Sequence, residues 1–437
     1  MTDVPAKPAA PDLDEEQRLK RIFDVTRETK NATGQVLGVL GDLAPKAKAL
    51  RERGEVLEGK LHDLLGVPKL SAEMDYHRGR RHFSVLSFRA CDEAFRDNEL
   101  FSSAAYRESP GVRSLGRTIL EMTGDEHRRY RAVAQPMFIK PKVMNWWKPK
   151  WIQEGVDGLL DRLESRDAAD LNLELCARLP MHVVTRGIGM NGDDALTFRD
   201  HLLRGASYQL PMEERIQSQG VVARMLKELV AKRREQPEDD VVSALIGNDF
   251  KLEDGSARKL TDDEVFSYCR LIMFAGGGTT WRQLGITLYA LLTEYANWEQ
   301  CRDDRTLLEP AVNESVRWCP TVSTFQRLVT RDTELAGVPI PADSIVDISL
   351  SSANRDPERW DEPDRYDIRR PDLPHIGFSI GQHQCLGMNV AKQELIVALD
   401  GLMSRFPSLR LDPAAPMPEL VGGLEQRGVT AVPVLLR

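Results

Sequence analysis

The chain has 437 residues, of which 41% are hydrophobic and 29% charged, a composition typical of a globular protein with ample length for a large core. Its formal net charge of -8 argues against bulk attraction to nucleic acid or to anionic membranes. No run approaches the ~18 consecutive apolar residues of a membrane span, and the N-terminus lacks a signal-peptide pattern. We therefore expect a soluble, cytoplasmic protein that binds neither nucleic acid nor membrane.

The six cysteines are widely separated, and none forms a Cys-x-x-Cys unit. This spacing argues against a zinc ribbon or a redox dithiol. An even number of cysteines is compatible with disulfides, but a chain of this length needs no such cross-links, so we expect reduced thiols. The cysteines are Cys91, Cys176, Cys269, Cys301, Cys319 and Cys385.

Residues 1–13 are rich in proline and alanine and are expected to form a disordered N-terminal lead. Helical periodicity dominates the rest of the chain, and strand-like alternation is confined to short stretches. Length alone would suggest two or three domains, but the pattern predicts a mainly α body with a small β region. The helical patterns lie around 151–166, 194–208, 220–235 and 386–406, and the strand-like ones at 82–88, between 325 and 350, and at 430–436.

The longest helical pattern begins at Thr261, where Thr-Asp-Asp-Glu has the form of a capping box. It continues to about Tyr295, which corresponds to roughly 34 residues or about 50 Å of helix. Its middle contains three consecutive glycines, Gly276 to Gly278, which cost about 3 kcal/mol of helix stability relative to alanine. Either the glycines break the segment into two helices, or the close approach of a flat ligand offsets their cost.

The most informative segment is the decapeptide that contains Cys385. Gly381 and Gly387 flank the cysteine and an apolar, helix-like run follows it. A sulfur at the start of a helix faces unpaired N–H groups and the positive end of the helix dipole, which favour a thiolate. His383 adds a donor for an anionic group. The segment fits a haem with Cys385 as axial iron ligand, although a buried cysteine that opens a core helix would show some of the same features.

This decapeptide resembles the haem-binding signature of the cytochrome P-450 superfamily, which reads Phe, Gly, any, Gly, any, Arg or His, any, Cys, any, Gly. The departure is Ser379, where glycine is usual. The matching positions are Phe378, Gly381, His383, Cys385 and Gly387.

The glycine-rich middle of the long helix is similar to the oxygen-binding segment of the same superfamily. Gly278 stands where that segment usually carries Asp or Glu, which is a real departure. The matching positions are Ala275, Gly276, Thr279 and Thr280.

Downstream, Glu314 and Arg317 match the superfamily's Glu-x-x-Arg pair, and a charge-rich meander follows at 354–367. The resemblance implies that Arg365 in this meander bridges to the pair. The three side chains would form a buried network that holds the cysteine loop in place, and such a network needs every member.

Four residues are candidates to bind the propionates of the haem: His127, Arg131, Arg327 and His383. His127 and Arg131 are four residues apart and share a helical face, in a segment whose charge is also typical of a solvated basic turn. The resemblance implies that all four donate to the two propionate groups, because about four donors neutralise and orient two carboxylates well.

The resemblance implies one triangular, mainly α fold with a small β region, formed by residues 14–437 and containing haem b. Cys385 would ligate the iron, and Ala275, Gly276, Phe378, Gly381 and Gly387 would contact the cofactor. The implied activity inserts one oxygen atom from O2 into a hydrophobic small molecule, such as a terpenoid, steroid, fatty acid or aromatic. Electrons would come from NAD(P)H through an external ferredoxin and ferredoxin reductase, since the chain has no flavin or iron–sulfur motif.

Gly278, Thr279 and Thr280 form the catalytic segment in this interpretation, with Thr279 at the bound oxygen and an ordered water. Without an acid at Gly278, the proton relay has to use water or a polar group of the substrate. The alternatives are a peroxide-driven or other haem reaction and a non-catalytic haem-binding sensor. A haem-free enzyme with Cys385 as nucleophile would need a general base that His383 is too close in sequence to supply.

Overall fold

The computed structural model describes residues 38–69, 75–206 and 210–437, so the predicted lead at 1–13 lies outside the described residues. Helices make up most of the described chain, and π-helical turns at Val143–Ile152 and Asn172–Cys176 join some of them. The α-helices are α1 (Ala44–Arg51), α2 (Leu61–Leu65), α3 (Phe88–Arg96), α4 (Pro110–Ser114), α5 (Gly124–Ala134), α6 (Lys140–Lys142), α7 (Gln153–Asp161), α8 (Arg178–Gly187), α9 (Gly192–Ala206), α10 (Met212–Glu235), α11 (Val241–Gly247), α12 (Asp262–Thr293), α13 (Tyr295–Asp303), α14 (Leu308–Trp318), α15 (Leu350–Ala353) and α16 (Met388–Arg405).

The strands are short and form small sheets, as the sequence predicts. The largest sheet has five strands in the spatial order Val56–Glu58, His82–Val85, Ile345–Ser349, Thr324–Val329 and Phe101–Ser102; the second and third are parallel and the other neighbouring pairs are antiparallel. The strands are β1 (Val39–Leu40), β2 (Val56–Glu58), β3 (His82–Val85), β4 (Phe101–Ser102), β5 (Ala168–Asp170), β6 (Asp249–Lys251), β7 (Ala257–Lys259), β8 (Thr324–Val329), β9 (Thr333–Leu335), β10 (Val338–Ile340), β11 (Ile345–Ser349), β12 (Arg410–Leu411), β13 (Leu420–Gly422), β14 (Arg427–Val429) and β15 (Pro433–Leu435).

Helix α12 is one continuous helix of 32 residues. The predicted capping box is present: the Thr261 hydroxyl accepts from the Glu264 N–H at 3.3 Å, and the Glu264 carboxylate accepts from the Thr261 N–H at 2.8 Å. The glycine run lies inside the helix, so the alternative of two helices joined by a turn is wrong. Buried side chains on both sides of the glycines anchor α12 in the largest hydrophobic cluster of the described residues.

Close packing between α8 and α12 explains two of the three glycines. The sequence alone could not reveal this reason. A Cβ on Gly276 would lie 3.0 Å from Val184 Cγ2, and one on Gly277 would lie 2.6 Å from Met181 Sδ. Both distances are shorter than ordinary van der Waals contact, so side chains here would push α8 away. The packing between α8 and α12 therefore offsets the helix propensity that these glycines lose.

All six cysteines are free thiols in the structure. Five are buried and Cys385 is exposed. Within the described ranges, none of the helices combines the length and apolar character needed to cross a membrane.

Candidate functional site

Cys385 lies between a 3₁₀ turn at Gly381–His383 and the first residue of α16. Its own N–H donates to the Phe378 carbonyl at 2.9 Å, which closes the loop. Burial raises the pKa of the Cys385 thiol, while the N–H groups of Gly387 and Met388 and the nearby Arg131 guanidinium act in the opposite direction. Cys385 is thus surrounded by protein yet exposed, and donors that favour the thiolate form lie beside its sulfur.

The glycines of the cysteine loop have different structural roles. Gly381 has a φ of +75°, and a Cβ there would lie 2.8 Å from the Phe95 carbonyl oxygen, so both its conformation and its packing require glycine. At Gly387, by contrast, a Cβ would meet nothing within 4 Å. Open space therefore lies beside Gly387, and a flat group can approach the cysteine loop there.

Ser379 is strained in this structure. It has a φ of +57°, is 4% exposed, and its hydroxyl has no hydrogen-bond partner. Left-handed backbone costs a residue with a Cβ about 1–2 kcal/mol, which explains why glycine is usual at this position of the signature.

We expect Ser379→Gly to raise the free energy of unfolding by about 1 kcal/mol. Relief of the left-handed strain and removal of the unpaired hydroxyl exceed the backbone entropy that a glycine adds to the unfolded chain, about 0.5–1 kcal/mol. Urea denaturation of the haem-loaded protein measures the change. Ser379→Ala is the matched control, because it removes the hydroxyl and keeps the strain. Equal stability of the alanine and glycine variants would contradict the strain argument.

The structure brings together the four residues predicted to bind propionates. The rings of His127 and His383 have centroids 4.1 Å apart. Burial, Arg131 and Arg327 lower the pKa of His127 to about 4, and burial, Arg327 and His127 lower the pKa of His383 to about 2. Two guanidinium groups therefore act on two neutral imidazoles, which leaves this cluster with a positive potential and, among the described residues, without a carboxylate partner.

Several donors in this cluster are buried without acceptors. His127 is 1% exposed and neither ring nitrogen has a hydrogen-bond partner, and Arg327 is 2% exposed with its Nε unpaired. The alternative of a solvated turn is thus wrong for His127. Unpaired buried donors cost about 1–3 kcal/mol each, and two carboxylates placed here would satisfy them. The cluster fits the propionates of a haem.

One residue beside this cluster was not singled out in the sequence. The Ser103 hydroxyl lies 2.9 Å from the Met122 carbonyl oxygen and forms a hydrogen bond of 3.0 Å with His383 Nε2. This bond fixes the orientation of the His383 ring, and nothing in the local sequence around Ser103 could have indicated it.

The middle of α12 presents an accessible stretch within an otherwise buried helix. Phe274 is 57% exposed, and Ala275 is also exposed. The Thr279 hydroxyl donates to the Ala275 carbonyl at 2.6 Å, on the same accessible face, whereas Thr280 is only 5% exposed. The two predicted threonines therefore differ, with Thr279 on the open face and Thr280 turned into the core.

Arg282 occupies the space next to Gly278, and the sequence reading missed it. Its Nη1 donates to the Gly278 carbonyl at 2.9 Å, and its stem packs against Gly428 of β14. A Cβ on Gly278 would lie 2.9 Å from the same nitrogen. Arg282 therefore lies in the space that an acidic side chain at position 278 would enter. The four-residue spacing of Gly278 and Arg282 places both on one helix face and could have indicated this in the sequence.

The predicted charge network exists, but with a different third member. Arg317 donates to both Glu314 oxygens at 2.7 and 2.8 Å, and Arg370 Nε donates to Glu314 Oε1 at 3.0 Å. The Arg365 side chain is 59% exposed and pairs with Glu362 at 3.4 Å, so its assignment as the bridging arginine is wrong. Arg365 contributes its main-chain carbonyl, which accepts from both Arg317 and Arg370. The chain turns after Arg365 and directs Arg370 inward.

Comparisons with known proteins identify the family. The model of the Cytochrome P450 family matches residues 208–420. The chain is 35% identical to cytochrome P450 105C1 of Streptomyces sp over 358 residues, which cover 82% of this chain and 89% of that protein. It is also 35% identical to nocardicin C N-oxygenase of Nocardia uniformis subsp. tsuyamanensis over 311 residues, 70% of this chain and 75% of the relative.

Solved structures agree on the fold. The hydroxylase HmtN of himastatin biosynthesis superposes with a TM-score of 0.71 at 29% identity, over 84% of this chain and 92% of that one. CYP109E1 from Bacillus megaterium, solved with testosterone, gives 0.77 at 23% identity over 91% and 99%. The chain belongs to the cytochrome P450 family, and it is a monooxygenase that uses haem b. The predicted fold of one mainly α body with a small β region is confirmed.

Proposed function

We propose that this protein inserts one oxygen atom from O2 into a hydrophobic small molecule, with electrons that an external ferredoxin and its reductase deliver from NAD(P)H. The observation that carries the proposal is the accessible Cys385 thiol, which faces two helix-start N–H groups beside a cluster of unpaired buried donors. The accessible, apolar stretch of α12 around Phe274 supports a hydrophobic substrate.

Haem b would be held by Cys385 at its iron and by His127, Arg131, Arg327 and His383 at its propionates, and when bound it supplies the activation of oxygen. We propose that Ala275, Gly276, Phe378, Gly381 and Gly387 contact the macrocycle. Glu314, Arg317 and Arg370 would not contact the haem. Their network would instead hold the chain segment that leads into the cysteine loop.

Proton delivery on this chain rests on Thr279, Gly278 and Arg282 in our proposal. The Thr279 hydroxyl bonds a main-chain carbonyl and keeps a lone pair for an ordered water. The Arg282 guanidinium is held at the Gly278 carbonyl, and its positive charge there can orient such a water. A water placed by these two residues would substitute for the carboxylic acid that is usual at Gly278.

The names of the relatives indicate the range of substrates rather than one of them. One is a nocardicin C N-oxygenase, and another, 28% identical over 362 residues, is a steroid C26-monooxygenase from Mycolicibacterium smegmatis. Of these two, the steroid falls in the broad class of hydrophobic small molecules that we propose for this chain.

Arg128 and Arg129 stand in a basic stretch that could dock an acidic redox partner, but both are paired with carboxylates. Arg129 pairs with Glu253 at 2.8 Å and Arg128 pairs with Asp125. Lys392 lies over the Phe378 ring at 5.5 Å, and burial lowers its pKa. A ferredoxin would therefore rely on residues other than Arg128 and Arg129 for a docking surface.

The missing acid at Gly278 also favours a second candidate, a haem enzyme driven by peroxide. Gly278→Asp distinguishes the two. If Arg282 and Thr279 already order the relay water, the new carboxylate pairs with Arg282, and we expect the product formed per NAD(P)H consumed to stay within about twofold of wild type. The measurement is product against NAD(P)H oxidation with a ferredoxin and its reductase.

Two outcomes would contradict the O2-driven proposal. One is a wild-type enzyme that consumes NAD(P)H without product yet oxidises substrate with added peroxide. The other is a large gain in coupling in Gly278→Asp. Haem binding without oxidation of any substrate by either route would favour the sensor alternative.

A further inference from the structure

Arg270 on α12 is a half-buried cation without a counter-ion. Within the described ranges, no carboxylate lies within ion-pair distance of it, and its guanidinium makes no hydrogen bond; it lies over the Phe266 ring, 5.3 Å from the ring centroid. Burial lowers its pKa, with no opposing charge to raise it. Removing a guanidinium even partly from water without an ion-pair partner is unfavourable.

The neighbouring cations differ from Arg270 in this respect. Arg258 makes two hydrogen bonds of 2.7 Å to Glu264, and Arg129 pairs with Glu253 at 2.8 Å. Carboxylates are therefore plentiful around this end of α12 and are used to pair arginines. The position of Arg270 leaves it out of those pairs.

Arg270 shares a helix face with the accessible part of the site. Positions 270, 274 and 278 recur every four residues, so Arg270 lies one turn from Phe274, which is 57% exposed. Two other parts of the chain approach α12 near Arg270. Gly116 packs against Ser267, which precedes Leu271 by one turn, and Lys227 of α10 lies over the Phe266 ring at 5.7 Å. Arg270 therefore lies on a part of α12 that both residue 116 and α10 approach.

We propose that Arg270 binds an acidic group of the substrate, so that the substrate is a hydrophobic molecule with a carboxylate. This inference rests on the proposed function, in which the apolar part of the molecule lies along Phe274. Nine residues separate Arg270 from Thr279, which corresponds to about 14 Å along the helix axis. The carboxylate and the oxidised carbon should be separated by roughly that length.

The test is a ligand titration of the haem-loaded protein, followed by its spin-state change and, separately, by calorimetry. The probes are straight-chain carboxylic acids of increasing length, each with its methyl ester. We expect affinity to peak at an intermediate length and the acid to bind roughly tenfold or more tightly than its ester, because a charge-assisted hydrogen bond is lost in the ester. Arg270→Gln should remove this preference and leave ester affinity unchanged, whereas Arg270→Lys should retain part of it.

Lys227→Gln is the matched control, since it removes the other cation on the Phe266 ring and should keep the preference for acids. A second readout needs no ligand: Arg270→Gln should melt at the same temperature as wild type or higher, because an unpaired half-buried cation is removed. Equal affinity for acid and ester in wild type, or a clear loss of stability in Arg270→Gln, would overturn the proposal. Acid binding without oxygenated product would leave the Arg270 site standing and refute the proposed activity instead.

Discussion

Cys385→Ser is expected to abolish oxygenation of every substrate, to the background of the assay. A serine hydroxyl does not ionise under conditions where a thiol bound to a metal is deprotonated, so the N–H groups of Gly387 and Met388 lose the anion they face. The donors at His127, Arg131, Arg327 and His383 remain, and we expect part of the haem to be retained. Product formation and haem content per chain are the two measurements.

Cys301→Ala is the control for the loss of a thiol, because Cys301 is a buried free cysteine of α13. It should keep its oxygenation activity. Substantial oxygenation by Cys385→Ser, at a haem content equal to that of wild type, would show that Cys385 is not the ligand on which the activity depends.

Arg317→Gln is expected to lower the free energy of unfolding by about 3–5 kcal/mol, because it leaves the Glu314 carboxylate buried with half of its ion pairs broken. Glu314 and Arg317 are 5% and 2% exposed, so water cannot replace the lost partner. Arg317 also donates to the carbonyls of Asn354 and Arg365, and these bonds would be lost as well. Urea denaturation of the haem-loaded protein measures the change.

The two nearby arginines form a matched pair of controls. Arg370→Gln should cost about 1.5–3 kcal/mol, since it removes a charged hydrogen bond to Glu314. Arg365→Gln should change stability by less than about 0.5 kcal/mol, because its side chain pairs at the surface. If Arg365→Gln were as costly as Arg370→Gln, the assignment of Arg370 as the third member would be wrong.

The local motifs were readable in the sequence because they depend on residues close together along the chain. The cysteine loop, the capping box of α12 and the Glu314–Arg317 pair are each set within a few residues. The mainly α body and the strand cluster between 325 and 350 were predicted by periodicity for the same reason.

The errors and omissions concern contacts that depend on the path of the chain. Arg365 and Arg370 stand in the same charge-rich segment, and only the turn between them decides which side chain reaches Glu314. The packing of Gly277 against Met181 joins residues almost a hundred positions apart. Likewise, the lack of a counter-ion for Arg270 could be established only once its surroundings were known.

The most direct test of the account is the absorption spectrum of the purified protein, reduced with dithionite and exposed to carbon monoxide. A strongly red-shifted Soret band is expected, since it reports a ferrous haem with a thiolate ligand and hence Cys385 at the iron. A Soret band at the position typical of histidine-ligated haem, or no haem band after reconstitution, would contradict the account.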